Sequence, residues 1–141
     1  MTTRHVAFII KEQDPLVLPP ETSVQQACER MWERRVGAVL VARPGRQLVG
    51  IFTGRDAVRT LAQGRDPSRT ALASVMTRDP KVIAPGKTAI DALRAMGDGG
   101  FRHLPVVTEG NLVIGVVSRG DLRGLELDRF ETETALWERI G

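Results

Sequence analysis

Apolar positions along this chain fall into short runs set between polar, glycine-rich turns. After Asp14-Pro15 comes "LVL" (Leu16 to Leu18), and after Asp79-Pro80 comes "KVIA" (Lys81 to Ala84). Both have the length of a strand. Ser23 with Gln26, and Thr88 with Asp91, then stand at N-cap and N3 spacing, which predicts a helix start after each. Val24, Ala27, Cys28 and Met31 follow i, i+3, i+4, i+7 and so share one helical face; Ala89, Ala92, Leu93 and Met96 do the same. The run "GDGG" (Gly97 to Gly100) predicts a stop for the second of these helices. "VGAVLVA" (Val36 to Ala42) and "FRHLPVV" (Phe101 to Val107) each lead through a glycine-containing turn into a further apolar run, "LVGIFT" or "LVIGVVS". Two such runs around a short turn predict a β-hairpin. A last helix is expected to start near Arg55 in one case and near Gly120 in the other.

The pattern is written twice. A shift of 65 residues lays Asp14-Pro15 on Asp79-Pro80, Val17 on Val82, Met31 on Met96, Gly50 on Gly115 and Asp56 on Asp121, with no gap. An internal duplication of this length is one structural unit repeated. Each copy reads β-α-β-β-α. One copy alone would leave a sheet face bare, and two can bury those faces against each other. The expectation is an α+β (α/β) fold, with two repeats packed about a pseudo-two-fold axis into one module. Repeat 1 spans residues 8–62, a polar linker 63–73, repeat 2 spans 74–127, and a helical tail 128–141.

Composition narrows the class. The 141 residues are 42% hydrophobic and 26% charged, the balance of a globular domain. No apolar run approaches the roughly 20 residues of a membrane span, and no secretory signal opens the chain. A cytoplasmic protein without a membrane partner is expected. The single Cys28 excludes an intrachain disulfide. The net charge of +3 is scattered, Tyr is absent, and Phe and Trp are few. A nucleic-acid surface needs a concentrated basic stripe, so nucleic acid is not the expected partner.

Catalytic constellations are lacking. His5, His103 and Cys28 do not have metal-ligand spacing. Cys28 lies on the apolar helix face and reads as a small core residue. "GDGG" has neither the lysine nor the Ser/Thr of a phosphate-binding loop. The repeated carboxylates fall in separate halves of the fold, which makes them a poor acid–base pair.

The repeated stretches "GIFTGRD" (Gly50 to Asp56) and "GVVSRGD" (Gly115 to Asp121), with the two Asp-Pro-x-Val starts and "FRHLPVV", carry a resemblance. Over about residues 8–127 the chain resembles a tandem pair of cystathionine-beta-synthase (CBS) domains, a Bateman module of the stand-alone type. The resemblance implies a regulatory, non-enzymatic module that binds an adenosine-containing ligand (AMP, ADP, ATP or NAD(H)) in clefts between the repeats, with no obligatory cofactor. S-adenosylmethionine lacks the phosphate that Arg102 would favour. Asp56 and Asp121 would take the ribose hydroxyls, since a carboxylate can accept from both, with Thr53 and Ser118 beside them. The alternative for both aspartates is a helix cap.

The resemblance further implies that each cleft joins one repeat's aspartate to the other repeat's strand entries. The first would gather Thr53, Arg55, Asp56, Thr77, Lys81, Val82, Phe101, Arg102 and His103. The second would gather Ser118, Arg119, Asp121, Leu16, Val17, Val36, Gly37 and Ala38. The first carries cations for phosphate, Arg55 and Arg102, joined by His103 when protonated. It is expected to be the stronger site, although Arg102 and His103 also suit a surface ion pair or a capped strand end. Trp32 and Trp137 mark either packing on the module itself or a homodimer contact. Any regulated target would lie on another chain. The other function open to such a chain is a dimerisation scaffold with empty clefts.

Overall fold

The computed structural model describes residues 4–122. The expected tail at 128–141, with Trp137, lies outside them. In chain order the elements are α1 (Val6–Ile9), β1 (Val17–Leu18), α2 (Val24–Arg34), β2 (Ala38–Arg43), β3 (Gln47–Thr53), α3 (Gly54–Ala62), α4 (Leu72–Val75), β4 (Thr77–Arg78), α5 (Ala89–Gly99), β5 (His103–Thr108), β6 (Leu112–Ser118) and a 3-10 turn (Arg119–Leu122). The two hairpins repeat down to their irregularities. β2 pairs antiparallel with β3 and bulges between Val41 and Ala42, while β5 pairs with β6 and bulges between Val106 and Val107. The duplicated pattern therefore preserves register as well as element type.

Helices α2 and α5 start as their spacing predicts. Ser23 and Thr88 each accept from the backbone N–H three residues on, and the Gln26 and Asp91 side chains accept from the cap N–H. Val24, Ala27 and Met31 are buried along α2, and Ala89, Ala92, Leu93 and Met96 along α5. α5 runs through Gly97 and Gly99 and stops at Gly100, which takes φ 73°. Only the last glycine of "GDGG" supplies the left-handed turn that ends the helix.

One expected strand is nearly lost. The "KVIA" segment keeps a single parallel bridge, Ile83 with Val106, whereas β1 pairs with β2 through Val17–Leu40 and Leu18–Val41. In the first repeat the Leu40 N–H donates to the Leu16 carbonyl at 2.9 Å. The equivalent position in the second repeat is Pro105. It has no N–H, so that rung cannot form.

The apolar run at Val6 to Ile10 forms α1 and packs on the second repeat. Val6 and Ile10 are buried with Ile83, Ala89, Leu93 and Met96. Its counterpart α4 packs on the first repeat, where Leu72, Val75 and Met76 meet Leu16, Val24 and Phe52. Each short helix thus serves the repeat other than the one it leads into. The Ala89 N–H donates to the Arg4 carbonyl (2.7 Å) and the Val24 N–H to the Thr70 carbonyl (2.8 Å). These are first-turn donors that their own helices cannot satisfy. Where the two leaders cross the sheet, a glycine lies beneath. A Cβ on Gly50 would stand 2.6 Å from Met76 Sδ and 2.8 Å from the Thr77 carbonyl; on Gly115 it would stand 2.8 Å from Ile10 Cβ. The glycine that opens both repeated motifs is there to let the exchanged leader pass.

Next to that crossing the two halves differ. In the first repeat β4 pairs with β3 through Ile51–Thr77 and Gly50–Arg78. In the second, the Gln13 side chain takes the place of a strand: its Nε2 donates to the Val116 carbonyl (2.8 Å) and its Oε1 accepts from the Val116 N–H (3.0 Å). A third core lies between the repeats, with Ala42 and Leu48 of one hairpin against Val107 and Val113 of the other. The hairpins also join edge to edge. Gln47 pairs with Leu112, the Leu48 N–H donates to the Asn111 carbonyl and the Val113 N–H to that of Arg46. The sheet order is β1-β2-β3-β6-β5, with β4 on β3. The expected mutual burial of the repeat faces is what this core achieves.

Candidate functional site

Thr53 closes β3 and caps α3. Its hydroxyl accepts from the Asp56 N–H at 3.4 Å, and Asp56 Oδ2 accepts from the Thr53 N–H at 2.9 Å and from its hydroxyl at 3.2 Å. The same arrangement recurs at the end of β6, where Asp121 Oδ2 accepts from the Ser118 N–H (2.8 Å) and hydroxyl (3.0 Å). The aspartates are therefore not the caps; Thr53 caps α3, and Asp56 closes the box from the N3 position. This accounts for the hydroxyl and the carboxylate three residues apart.

The two aspartates then differ. Asp56 is only 4% exposed, and its other oxygen, Oδ1, accepts from Arg59 Nη2 at 2.8 Å. Asp121 is half-buried, and among the described residues its Oδ1 takes no hydrogen bond. Arg59 was not evident as a site residue from the repeat, because the equivalent position is Gly124. Its i+3 spacing from Asp56, one turn along the same helix face, is the signal that would have found it.

A cavity of about 1470 Å³ opens where the halves meet. Of the residues expected in the first cleft, Thr53, Arg55, Asp56, Thr77, Lys81, Phe101, Arg102 and His103 line it. Val82 does not; it packs into the core between the repeats. Of the second set, Gly37, Ser118 and Arg119 line the same cavity. Leu16, Val17 and Ala38 are packed in the cores instead, and Val36 and Asp121 lie off the cavity wall. Asp79 and Gly97, Gly99 and Gly100 of the helix stop also line it. Gly99 makes room for the Phe101 ring, which a Cβ at that position would strike.

The cavity is electropositive. Arg55, Arg59, Lys81, Arg102 and Arg119 line it, against two carboxylates, Asp56 and Asp79. Among the described residues Arg55, Lys81 and Arg102 have no ion pair and no side-chain hydrogen bond. Arg102 is exposed, and no ion-pair partner for it lies among the described residues. Among the described residues no cluster of His, Cys, Asp or Glu could hold a metal ion, and no helix is long and apolar enough to cross a membrane. Cys28 is half-buried on α2, where burial raises its thiol pKa and so disfavours the thiolate.

His103 joins the cations only at a pH below its depressed pKa. Burial lowers its pKa below 6.5, the Arg102 charge lowers it further, and Asp121 opposes both. It is neutral near pH 7, with its ring 3.4 Å from where a Gly37 Cβ would stand. A group with a depressed folded pKa binds fewer protons folded than unfolded. The stability it confers is complete above 6.5 and is lost as pH falls from that value through the lower folded pKa. The urea midpoint is therefore expected to drop between about pH 7 and 5, and His103→Gln is expected to flatten that part of the profile. An unchanged slope in the variant would refute the assignment. Asp91, lowered chiefly by its Thr88 backbone bond, acts only as pH falls below 3.8, outside this window.

The family model for the CBS domain matches residues 8–63 and 72–128. The CBS domain-containing protein CBSCBSPB3 of Arabidopsis thaliana is 42% identical over 99 residues, 70% of this chain and 18% of its own length. This chain thus spans less than a fifth of that relative. The CBS domain pair of protein MJ0100, solved with 5'-methylthioadenosine and S-adenosyl-L-methionine, superposes with a TM-score of 0.81 at 20% identity, over 91% of this chain and 99% of that one. The CBS domain protein PAE2072 from Pyrobaculum aerophilum, solved with AMP, gives 0.79 at 22% identity, over 88% and 96%. At such identities the likeness speaks for the fold. With both repeats matched by the family model, and the hairpins, caps and leader helices duplicated in the structure, this chain belongs to the CBS domain family as a tandem pair.

Proposed function

We propose that the cavity between the repeats is a regulatory site for an adenosine nucleotide: AMP, ADP, ATP or NAD(H). The observation that carries this is the set of cations with no ion pair among the described residues, Arg55, Lys81 and Arg102, on the wall of one cavity whose most buried carboxylate is Asp56. Phosphate meets the cations, and Arg offers it two parallel donors. The ribose hydroxyls meet Asp56, and Phe101 supplies an apolar wall for the base. Support also comes from the occupants of two similar folds, AMP in one and 5'-methylthioadenosine with S-adenosylmethionine in the other. The three cations favour a phosphorylated ligand over the sulfonium. The wall contributed by Ser118, Arg119 and Gly37 makes room for a second group, which suits NAD(H) or a longer phosphate chain.

The role is regulatory rather than catalytic: the ligand shifts the module between states by its differential affinity for them. Trp32, 86% exposed on α2, with Val58 and Leu61 exposed on α3, supports a homodimer as the route by which the signal leaves. The same surface favours a second reading, a cytoplasmic scaffold whose cavity stays empty. Calorimetric titration with AMP, ADP, ATP, NAD⁺, NADH and S-adenosylmethionine separates the two. Saturable binding of a phosphorylated ligand is expected, weakened roughly 10- to 100-fold in Arg102→Ala. A folded protein that takes up none of them is the scaffold.

A further inference from the structure

Arg59 and Asp56 both line the cavity, and Arg59 occupies one oxygen of the carboxylate. Its Nη2 donates to Asp56 Oδ1 at 2.8 Å and to the Val75 carbonyl at 3.0 Å. Among the described residues both of its hydrogen bonds run through that one nitrogen, so Nε and Nη1 have no protein partner. Its side chain is half exposed and lines the cavity, whereas that of Asp56 is 5% exposed. With Thr53 on Oδ2 and Arg59 on Oδ1, Asp56 cannot take two ribose hydroxyls until one donor leaves. The Thr53 N–H is fixed backbone at the start of α3. Arg59, at the end of a flexible side chain, is the donor that can move.

We propose that Arg59 adds to the preference of the cavity for phosphorylated over unphosphorylated nucleosides, beside Arg55, Lys81 and Arg102, by exchanging Asp56 for phosphate; this rests on the nucleotide reading above. A phosphate on the ribose offers the guanidinium a bidentate partner. Arg59 then exchanges one anion for another, and Asp56 is released to the ribose diol. The guanidinium keeps two hydrogen bonds, giving up Asp56 and the Val75 carbonyl for the two phosphate oxygens. A nucleoside without phosphate must break the same pair and leave Arg59 with water alone. The exchange also frees the Val75 carbonyl, at the end of α4, just before Met76 and Thr77 cross Gly50.

The test is calorimetric titration of the full chain with AMP and with adenosine, in wild type, Arg59→Gln and Arg59→Lys. Wild type is expected to prefer AMP by roughly 100-fold or more, of which the Arg59 fork supplies about tenfold or more. Arg59→Gln is expected to shrink that ratio about tenfold or more, weakening AMP while adenosine binds as well as before or better. Arg59→Lys keeps the charge without the fork and is expected to fall between them. An unchanged ratio in Arg59→Gln, or equal weakening of both ligands, overturns the role of Arg59 and leaves the nucleotide site standing. Should Arg59→Gln fail to fold, an Arg59→Lys ratio equal to that of wild type overturns the fork requirement and the role with it. Wild type that binds neither ligand overturns both readings together.

Discussion

Gly115→Val is expected to lower the melting temperature by roughly 10–20 °C. The first atom it adds already has no room. A Cβ at 115 falls 2.8 Å from Ile10 Cβ, Cγ2 and nearly as close to Cδ1, and a contact to Cβ cannot be relieved by turning a side-chain tip. Either β6 bends or α1 lifts. The sheet is held by its pairing with β5 and by Gln13 on Val116, whereas α1 is a four-residue helix, so α1 is the part that gives way. Its removal exposes Val6 and Ile10, which are 0% and 8% exposed. At about 1.5–3 kcal/mol for each side chain the loss is roughly 3–6 kcal/mol, a large share of a typical 5–15 kcal/mol. The Ala89 N–H also loses the Arg4 carbonyl. Exchange protection should therefore fall at Ala89 first. A melt within a few degrees of wild type would show that α1 does not hold the second repeat. Gly50→Ala is the milder counterpart: its nearest contact is the tip of Met76, although the Thr77 carbonyl at 2.8 Å stops it being neutral.

This crossing also marks where the sequence stops being readable. Duplication offers two independent spellings of every local element, so hairpins, caps and helix faces were legible from pattern alone. Ser23 and Thr88 cap as spaced, and the hairpin bulges fall at matching residues. The exchange of leaders was not legible. Nothing local to Val6–Ile10 names a partner some eighty residues away, and a run of five apolar residues has no period to interpret. Gly50 and Gly115 were visible as a repeated glycine, but their cause is a side chain from outside the motif. Pro105 was the opposite case: its missing N–H was in plain view, and the rung it deletes follows from the alignment with Leu40.

In the site, charged positions were more legible than apolar ones. Arg55, Lys81 and Arg102 line the cavity, as expected of charged side chains, whose burial in a core without a partner is costly. Leu16, Val17, Ala38 and Val82 belong to strands or strand entries that could face either the cavity or a core, and the cores took them. Of the second cleft implied by the family's symmetry, only Gly37, Ser118 and Arg119 reach the wall of this cavity. His103 fills the space that a side chain at Gly37 would occupy.

Asp56→Ala is expected to weaken nucleotide binding by at least about 100-fold, and to cost stability as well. Two charge-assisted bonds to ribose, at about 1.5–3 kcal/mol each, amount to two or more decades of affinity. The stability loss has a separate origin. Removing the carboxylate leaves the Thr53 N–H without its partner and opens the capping box of α3, at roughly 1–3 kcal/mol. The ion pair adds little to this, since Arg59 is 50% exposed and can turn to water. Asp56→Asn separates the two effects. It keeps an oxygen for the Thr53 N–H but turns an NH₂ on a guanidinium or a ribose hydroxyl. Its melting temperature should lie near that of wild type while its affinity still falls more than about tenfold. Asp121→Ala is the control, since Asp121 lies off the cavity wall and is more exposed. It should keep AMP binding within a few-fold of wild type. If instead Asp121→Ala loses AMP and Asp56→Asn retains it, the nucleotide sits against the Ser118 end of the cavity. The Asp56–Arg59 pair is then a structural clasp on α4.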